Sequence, residues 1–108
     1  MQTLVVFDIG NNTLRNRIED ACKDAGMTRL QWSLFQGELD PTRRGRLIEK
    51  LKKHIDAFQE NESAEQQRQA LVVHLFTLCA ADFDNALEIN RNGSQPATPI
   101  VPPKVVIL

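Results

Sequence analysis

Near its start the chain carries the run Thr3-Leu4-Val5-Val6-Phe7-Asp8-Ile9, apolar up to a single carboxylate. Apolar side chains at consecutive extended positions point to both sides, so this strand belongs centrally in a sheet covered on at least one face. A charge at its end costs free energy unless it meets a partner or a metal. Two readings of Asp8 stay open from this stretch: a cap for a turn or helix, or a catalytic carboxylate held rigidly at a sheet edge. A second run, Ala70-Leu71-Val72-Val73-His74-Leu75-Phe76-Thr77-Leu78, is also apolar on both sides and predicts a second such strand. His74 shares a side with Val72 and Phe76, which favours a packed or hydrogen-bonded histidine over a catalytic one.

The segments between these runs have their own signals. Gly10-Asn11-Asn12-Thr13 is a turn and cap cluster. Leu14, Ile18, Ala21, Cys22 and Ala25 then recur at helical spacing, which predicts a helix over 13–25 stopped by Gly26. Arg15 and Arg17 lie in its first turns, off the apolar stripe. Cations are unfavourable near a helix N-terminus, so this pair is either solvated surface or a hint of an anionic partner. In residues 28–39, Leu30, Trp32 and Leu34 alternate with Arg29, Gln31 and Ser33. The alternation changes at Phe35, and Gly37 permits a bulge, so a bent strand or two short strands meeting around 34–37 is expected. On that phase Phe35 projects with the polar residues, to stack on a base or to pack at a subunit contact.

Asp40-Pro41 opens a second helix, with Asp at the N-cap and Pro at the first position. Leu47, Ile48, Leu51, Ile55 and Phe58 form its apolar face. Arg43, Arg46, Lys50 and Lys53 fall on a separate face, which suits either solvent or a phosphate backbone. Residues 59–69 are polar and Gln/Glu-rich, a long loop or a frayed continuation of the helix. Ala80–Asn85 reads as a turn and Ala86–Asn90 as a short edge strand. Asn92 through Pro103 reads as an extended, Pro-containing linker. Lys104-Val105-Val106-Ile107-Leu108 should add as a strand to a sheet, in this subunit or a partner. The division is thus a folded domain over 1–91 and a linker and strand-like tail over 92–108.

With 108 residues, 42% of them hydrophobic and 25% charged, the chain is a one-domain globular protein. Its apolar runs are too short to cross a bilayer, and residues 1–9 lack the features of a signal peptide. Cys22 and Cys79 have no CxxC spacing and read as buried, reduced thiols, so a cytoplasmic location is expected. A net charge of −1 excludes a uniformly basic nucleic-acid binder. That total hides a division: residues 41–54 hold Arg43, Arg44, Arg46, Lys50, Lys52 and Lys53 against Glu49, and residues 55–65 hold Asp56, Glu60, Glu62 and Glu65 with no basic residue.

The order strand, helix, bent strand or strand pair, helix, strand fits an α+β, ferredoxin-like βαββαβ sandwich with one or more extra C-terminal edge strands. That fold hosts many activities. Here Leu4-Val5-Val6-Phe7-Asp8-Ile9, then Arg15-Asn16-Arg17, then Gln31-Trp32-Ser33-Leu34-Phe35-Gln36-Gly37-Glu38-Leu39 resemble, in order and spacing, the CRISPR-associated protein two family. The resemblance covers about residues 3–58, and the strand ending in Leu78-Cys79 also fits. It implies a homodimer that works with the CRISPR integrase and binds double-stranded DNA during spacer acquisition. It also implies, for some members, a metal-dependent endonuclease acting on RNA or DNA. Carried over by position, Asp8 resembles the metal-binding aspartate, and Arg15, Arg17, Arg29 and Phe35 match positions tied to nuclease function. Phe7 takes the place of a common tyrosine. Asn11 stands where many members have a second acid, and Gln36 replaces a frequent glutamate, so negative charge is reduced near the site.

Mg²⁺ wants six oxygen ligands, usually with one or two carboxylates among them. One Asp8 per chain is a thin supply, so the expected arrangement is one ion shared by two Asp8 residues across a two-fold axis. Arg15, Arg17 and Arg29 are then placed to hold neighbouring phosphates. Two other readings remain at this point. The dimer is a DNA-spacing scaffold without chemistry, or the chain is a virulence-associated-type ribonuclease toxin of similar fold.

Overall fold

The computed structural model describes residues 1–79, 81, 82, 85 and 87–96. Its elements run β1 (Gln2–Ile9), α1 (Asn12–Asp24), β2 (Thr28–Gln31), β3 (Leu34–Glu38), α2 (Pro41–Glu60), a short 3₁₀ turn (Gln66–Arg68), β4 (Leu71–Leu78), β5 (Leu87–Asn90) and β6 (Gly93–Pro96). The main sheet has four strands in the order β2-β3-β1-β4. β1 pairs antiparallel with β3 on one side and β4 on the other. This is the expected α+β βαββαβ arrangement, with both helices on one face of the sheet. Among the described residues no helix is long and apolar enough to cross a membrane.

The core is built by the alternation of β1. Val5, Phe7 and Ile9 are buried towards the helices, where they meet Leu14, Ile18, Cys22, Leu47 and Leu51. Leu4, Val6 and Asp8 take the opposite, open face. Each helix begins on a side-chain cap: the Asn11 Oδ1 accepts from the Leu14 N–H at 2.9 Å, and the Asp40 Oδ1 from the Arg43 N–H at 2.8 Å. α1 ends where Gly26 adopts φ +86°, a conformation that other residues reach only at a cost.

Four expectations are corrected. The break in residues 28–39 falls at Trp32-Ser33, a tight turn between β2 and β3, and not at 34–37. Gly37 makes no bulge: it pairs in register with Thr3, and a Cβ there would sit 3.1 Å from the Met27 backbone, so its smallness serves close packing. The irregularity lies instead between Arg29 and Gln31. β4 is an edge strand among the described residues, with Val72, His74 and Phe76 exposed on the open face, so its apolar pattern is not matched by cover on both sides. Gly93–Pro96, expected as linker, pairs with β5 in a separate two-stranded sheet, and this hairpin straddles residue 91. The predicted tail strand Lys104–Leu108 lies outside the described residues.

Candidate active site and nucleic-acid interface

Asp8 is exposed on the open face of the sheet. The register sets Val72 opposite it on β4, and the preceding same-face residue, Val6, lies between His74 and Leu34. Leu4 lies between Phe76 and Gln36. The carboxylate therefore stands at the end of a largely apolar strip. His74 is exposed there rather than packed, its ring stacked on Phe76 with centroids 6.0 Å apart. Among the described residues Asp8 has no hydrogen-bond or ion-pair partner, and no group of three metal-ligating side chains exists. One Asp8 supplies too few oxygens for Mg²⁺, so the residues fit a metal only if a second carboxylate is brought to the same face. Asn11 does not help, because its oxygen caps α1. Gln36 is also engaged, donating from Nε2 to the Thr28 hydroxyl at 2.8 Å.

The residues carried over with Asp8 are placed unevenly. Arg15 reaches back over the β1–α1 turn, donating from Nη1 to the Ile9 carbonyl at 3.2 Å and from Nη2 to Asn12 Oδ1. Its Nε is buried without a partner. The arginine thus braces the backbone one residue beyond Asp8. Arg17 is exposed and lines a shallow depression with Asn11, Thr13, Phe58 and Gln66. Arg29 is held internally: Nη2 donates to Glu19 Oε1 at 2.6 Å and Nη1 to the Trp32 carbonyl at 2.5 Å. Phe35 has no exposure and stacks on Phe7, centroids 6.1 Å apart. The expectation that it projects among polar residues is corrected: the turn at Trp32-Ser33 resets the alternation, so Phe35 faces the core and is not presented to a base.

On α2, Arg43, Arg46, Lys50 and Lys53 are all exposed, as their spacing predicted. Arg43 donates from Nη2 to the Ala25 carbonyl at 2.8 Å, closing the end of α1, and Lys50 pairs with Asp24 at 3.3 Å. Between the helices runs an open groove of about 300 Å³ lined by Ala21, Asp24, Ala25, Arg43, Arg46, Leu47 and Lys50. This cationic track lies on the helical side of the molecule. Asp8 lies on the other side of the sheet, so within one subunit the structure does not bring the two together.

One conspicuous surface residue escaped sequence reasoning. Trp32 is 71% exposed at the tip of the β2–β3 turn. Its place between Leu30 and Leu34 suggested an inward side chain. Only the neighbouring Ser33, a turn-forming residue, signalled otherwise.

Comparison with known proteins bears on the whole arrangement. A family model for CRISPR associated protein Cas2 matches residues 1–85. The chain is 42% identical over 55 residues to a CRISPR-associated endoribonuclease Cas2 of Desulforudis audaxviator, covering 51% of this chain and 52% of that protein. It is 38% identical over 61 residues to a CRISPR-associated endoribonuclease Cas2 2 of Chloroflexus aurantiacus, 56% of this chain and 72% of that one. A protein of the same description from Pyrobaculum aerophilum is 38% identical over 53 residues, 49% of this chain and 58% of that one. The aligned part thus spans about half the length of the first of these relatives. A match over residues 1–85, on a sheet and helices in the expected order, places the chain in the CRISPR-associated Cas2 family.

Proposed function

We propose that the chain acts as a homodimer in CRISPR adaptation, binding duplex DNA together with the CRISPR integrase, and that it carries a metal-dependent endonuclease activity through paired Asp8 residues. The observation that carries this reading is the open sheet face. Leu4, Val6, Val72 and Phe76 are apolar there, Phe76 is 50% exposed, and Asp8 stands among them. Apolar surface of this kind gains about 25 cal/mol per Å² when covered. A two-fold axis near Asp8 would cover it with the same surface of a second copy and bring two carboxylates together. Without a counter-ion such a pair repels. Mg²⁺ would be held by Asp8 of each copy, which would relieve that repulsion. The ion would supply Lewis-acid stabilisation of a phosphodiester and an activated water.

The protein's own residues do the rest of the work. Arg15 braces the Ile9 carbonyl and Asn12, so the backbone just after Asp8 is held at the start of α1. Arg17 is exposed on the same end of α1 for a phosphate. Arg43, Arg46, Lys50 and Lys53 form a track for a duplex backbone on the helical side. Contacts to the backbone alone carry no sequence information, which suits a protein that handles DNA of any sequence. The same naming of relatives as endoribonucleases keeps RNA as a second substrate for the Asp8 site. Family membership favours this reading over a ribonuclease toxin. The integrase is the partner expected for the tail, and deleting Lys104–Leu108 should abolish its co-purification while the domain stays folded.

The deciding experiment measures mass in solution and cleavage together. Wild type should sediment as a dimer, and Mg²⁺ should strengthen it. Cleavage of RNA or DNA should need Mg²⁺ and disappear in Asp8→Asn, while duplex binding persists. A monomer at all concentrations, or cleavage unchanged in Asp8→Asn, would remove the paired-carboxylate mechanism. Loss of cleavage with duplex binding intact separates the nuclease from the scaffold.

A further inference from the structure

A column of stacked groups runs from the core to the surface at the end of β1. The Phe7 ring stacks on Phe35 at 6.1 Å, the Arg29 guanidinium lies 5.0 Å from the Phe35 ring, and the Trp32 ring lies 5.2 Å from the same guanidinium. The column is pinned in two places. Glu19, itself buried, holds Arg29 Nη2 at 2.6 Å, and Arg29 Nη1 holds the Trp32 carbonyl at 2.5 Å. The outermost member, Trp32, keeps 71% of its surface exposed. An exposed indole is usually free to swing. This one has its inner face occupied and its backbone tied.

We propose that Trp32 is a preformed stacking platform for an unpaired nucleobase. This rests on the nucleic-acid reading given above and adds to it a residue that reads bases rather than phosphates. Three observations favour a base over other occupants. A guanidinium already under the ring draws on its electron density, so a second cation above is disfavoured while a flat aromatic ring is welcome. The surroundings are polar: Gln31 is exposed, and Arg29 and Ser33 are half-buried. Of the other exposed large apolar residues, Val72 and Phe76 lie on β4, at the opposite edge of the sheet from the turn that carries Trp32. The platform is also well sited. The Phe7 N–H donates to the Ser33 carbonyl at 3.1 Å, which ties the Trp32-Ser33 turn to the residue beside Asp8. A strand with one base parked on Trp32 would pass the end of β1.

A duplex keeps its bases in the stack and offers nothing to this ring. A single strand does, at about 1–3 kcal/mol per stacked base, or about 5- to 150-fold in affinity. Trp32 is the chain's only tryptophan, so its emission reports the contact directly. The experiment titrates wild type, Trp32→Ala and Trp32→Phe with short single strands of RNA and of DNA and with the matching duplex. Binding is read by anisotropy of a labelled strand, and quenching by the wild-type indole. The expected result is quenching by single strands only. Trp32→Ala should lose about 5- to 150-fold in single-strand affinity, Trp32→Phe should recover most of it, and duplex affinity should not move. Whichever sugar shows the loss identifies the natural strand. Unchanged single-strand binding in Trp32→Ala, equal loss on duplex, or a phenylalanine no better than alanine would each overturn the proposal. If duplex binding survives in those cases and still depends on Arg46 and Lys50, the proposed function stands and only the platform falls. If wild type binds no nucleic acid at low salt, both fall.

Discussion

Cys22 shows how far a single residue's environment can be shifted by its place in the fold. It is fully buried on the core face of α1, and burial pushes its thiol up from 9.0 to about 12, with the nearby Glu19 carboxylate adding in the same direction. The unfolded chain releases that proton earlier, so stability attached to Cys22 is complete below about pH 9 and is lost as pH rises towards 12. Urea unfolding at pH 8 and at pH 10.5 should show a steeper loss in wild type than in Cys22→Ala. Cys79 differs from the expectation of a buried thiol: it is exposed, its Sγ donating to Asp82 Oδ2 at 2.9 Å. A thiol reagent should therefore label Cys79 at once and Cys22 only on unfolding. Glu19 is the other residue whose role its position decides. With both side chains mostly buried, its pair with Arg29 is worth more than a surface ion pair. Glu19→Gln should cost about 1–3 kcal/mol in urea titration, and it should loosen Trp32, seen as lower indole anisotropy.

At the scale of elements, both helices start on a side-chain cap, joined in α2 by Pro41 in the first turn. Neither α1 nor α2 has an acidic residue in its first turn to complement the helix dipole. Asn11 and Asp40 therefore carry much of the burden of defining where each helix begins. Asp40→Ala should cost about 1 kcal/mol, which for a domain of this size lowers the melting temperature by about 4–8 °C. Circular dichroism on heating checks this, and Asp40→Asn should be nearly neutral because the amide oxygen caps as well. α2 also presents two different faces on one element. Leu47 and Leu51 anchor it to the core while Arg43, Arg46, Lys50 and Lys53 remain outside. Arg46→Ala with Lys53→Ala should then reduce duplex affinity and lower its salt slope by about two without a change in unfolding midpoint.

The whole molecule is two-sided. Helices cover one face of the main sheet, while the other keeps Val72 41% and Phe76 50% exposed on β4, which lies at the sheet edge among the described residues. A flat apolar edge of this kind invites pairing or association. Phe76→Glu should leave the fold intact, since the side chain is outside the core, yet hold the protein as a monomer in sedimentation. Cleavage that depends on two Asp8 residues should vanish with the dimer. Cleavage by a proven Phe76→Glu monomer would show that one carboxylate is enough. At this scale the separation of charge also acquires a meaning. A chain of net charge −1 presents a local cationic track, because the acids of residues 55–65 are gathered beyond the basic half of α2.

The sequence by itself determined the two helices, the strands β1 and β4 and the cap at Asp40. Periodicity settles which residues of the two helices face a core, because a side chain's direction follows directly from the 3.6 repeat, whereas β1, apolar on both sides, left its covered face open. It likewise settled the cationic stripe of α2 and the N-cap at Asp40. It could not determine what happens across a turn. The phase of alternation is lost at Trp32-Ser33, so Phe35 went inward and Trp32 outward, the reverse of the local reading. Nor could it decide which apolar strand is covered. β1 and β4 look alike as sequence, and only the pairing order β2-β3-β1-β4 leaves one of them at the edge. The partnerships of Arg29 with Glu19 and of Arg15 with Ile9 were equally hidden, because they join residues whose proximity depends on how helix and sheet pack. Local chemistry fixes direction along a segment. Which segments become neighbours is decided by packing the whole chain at once.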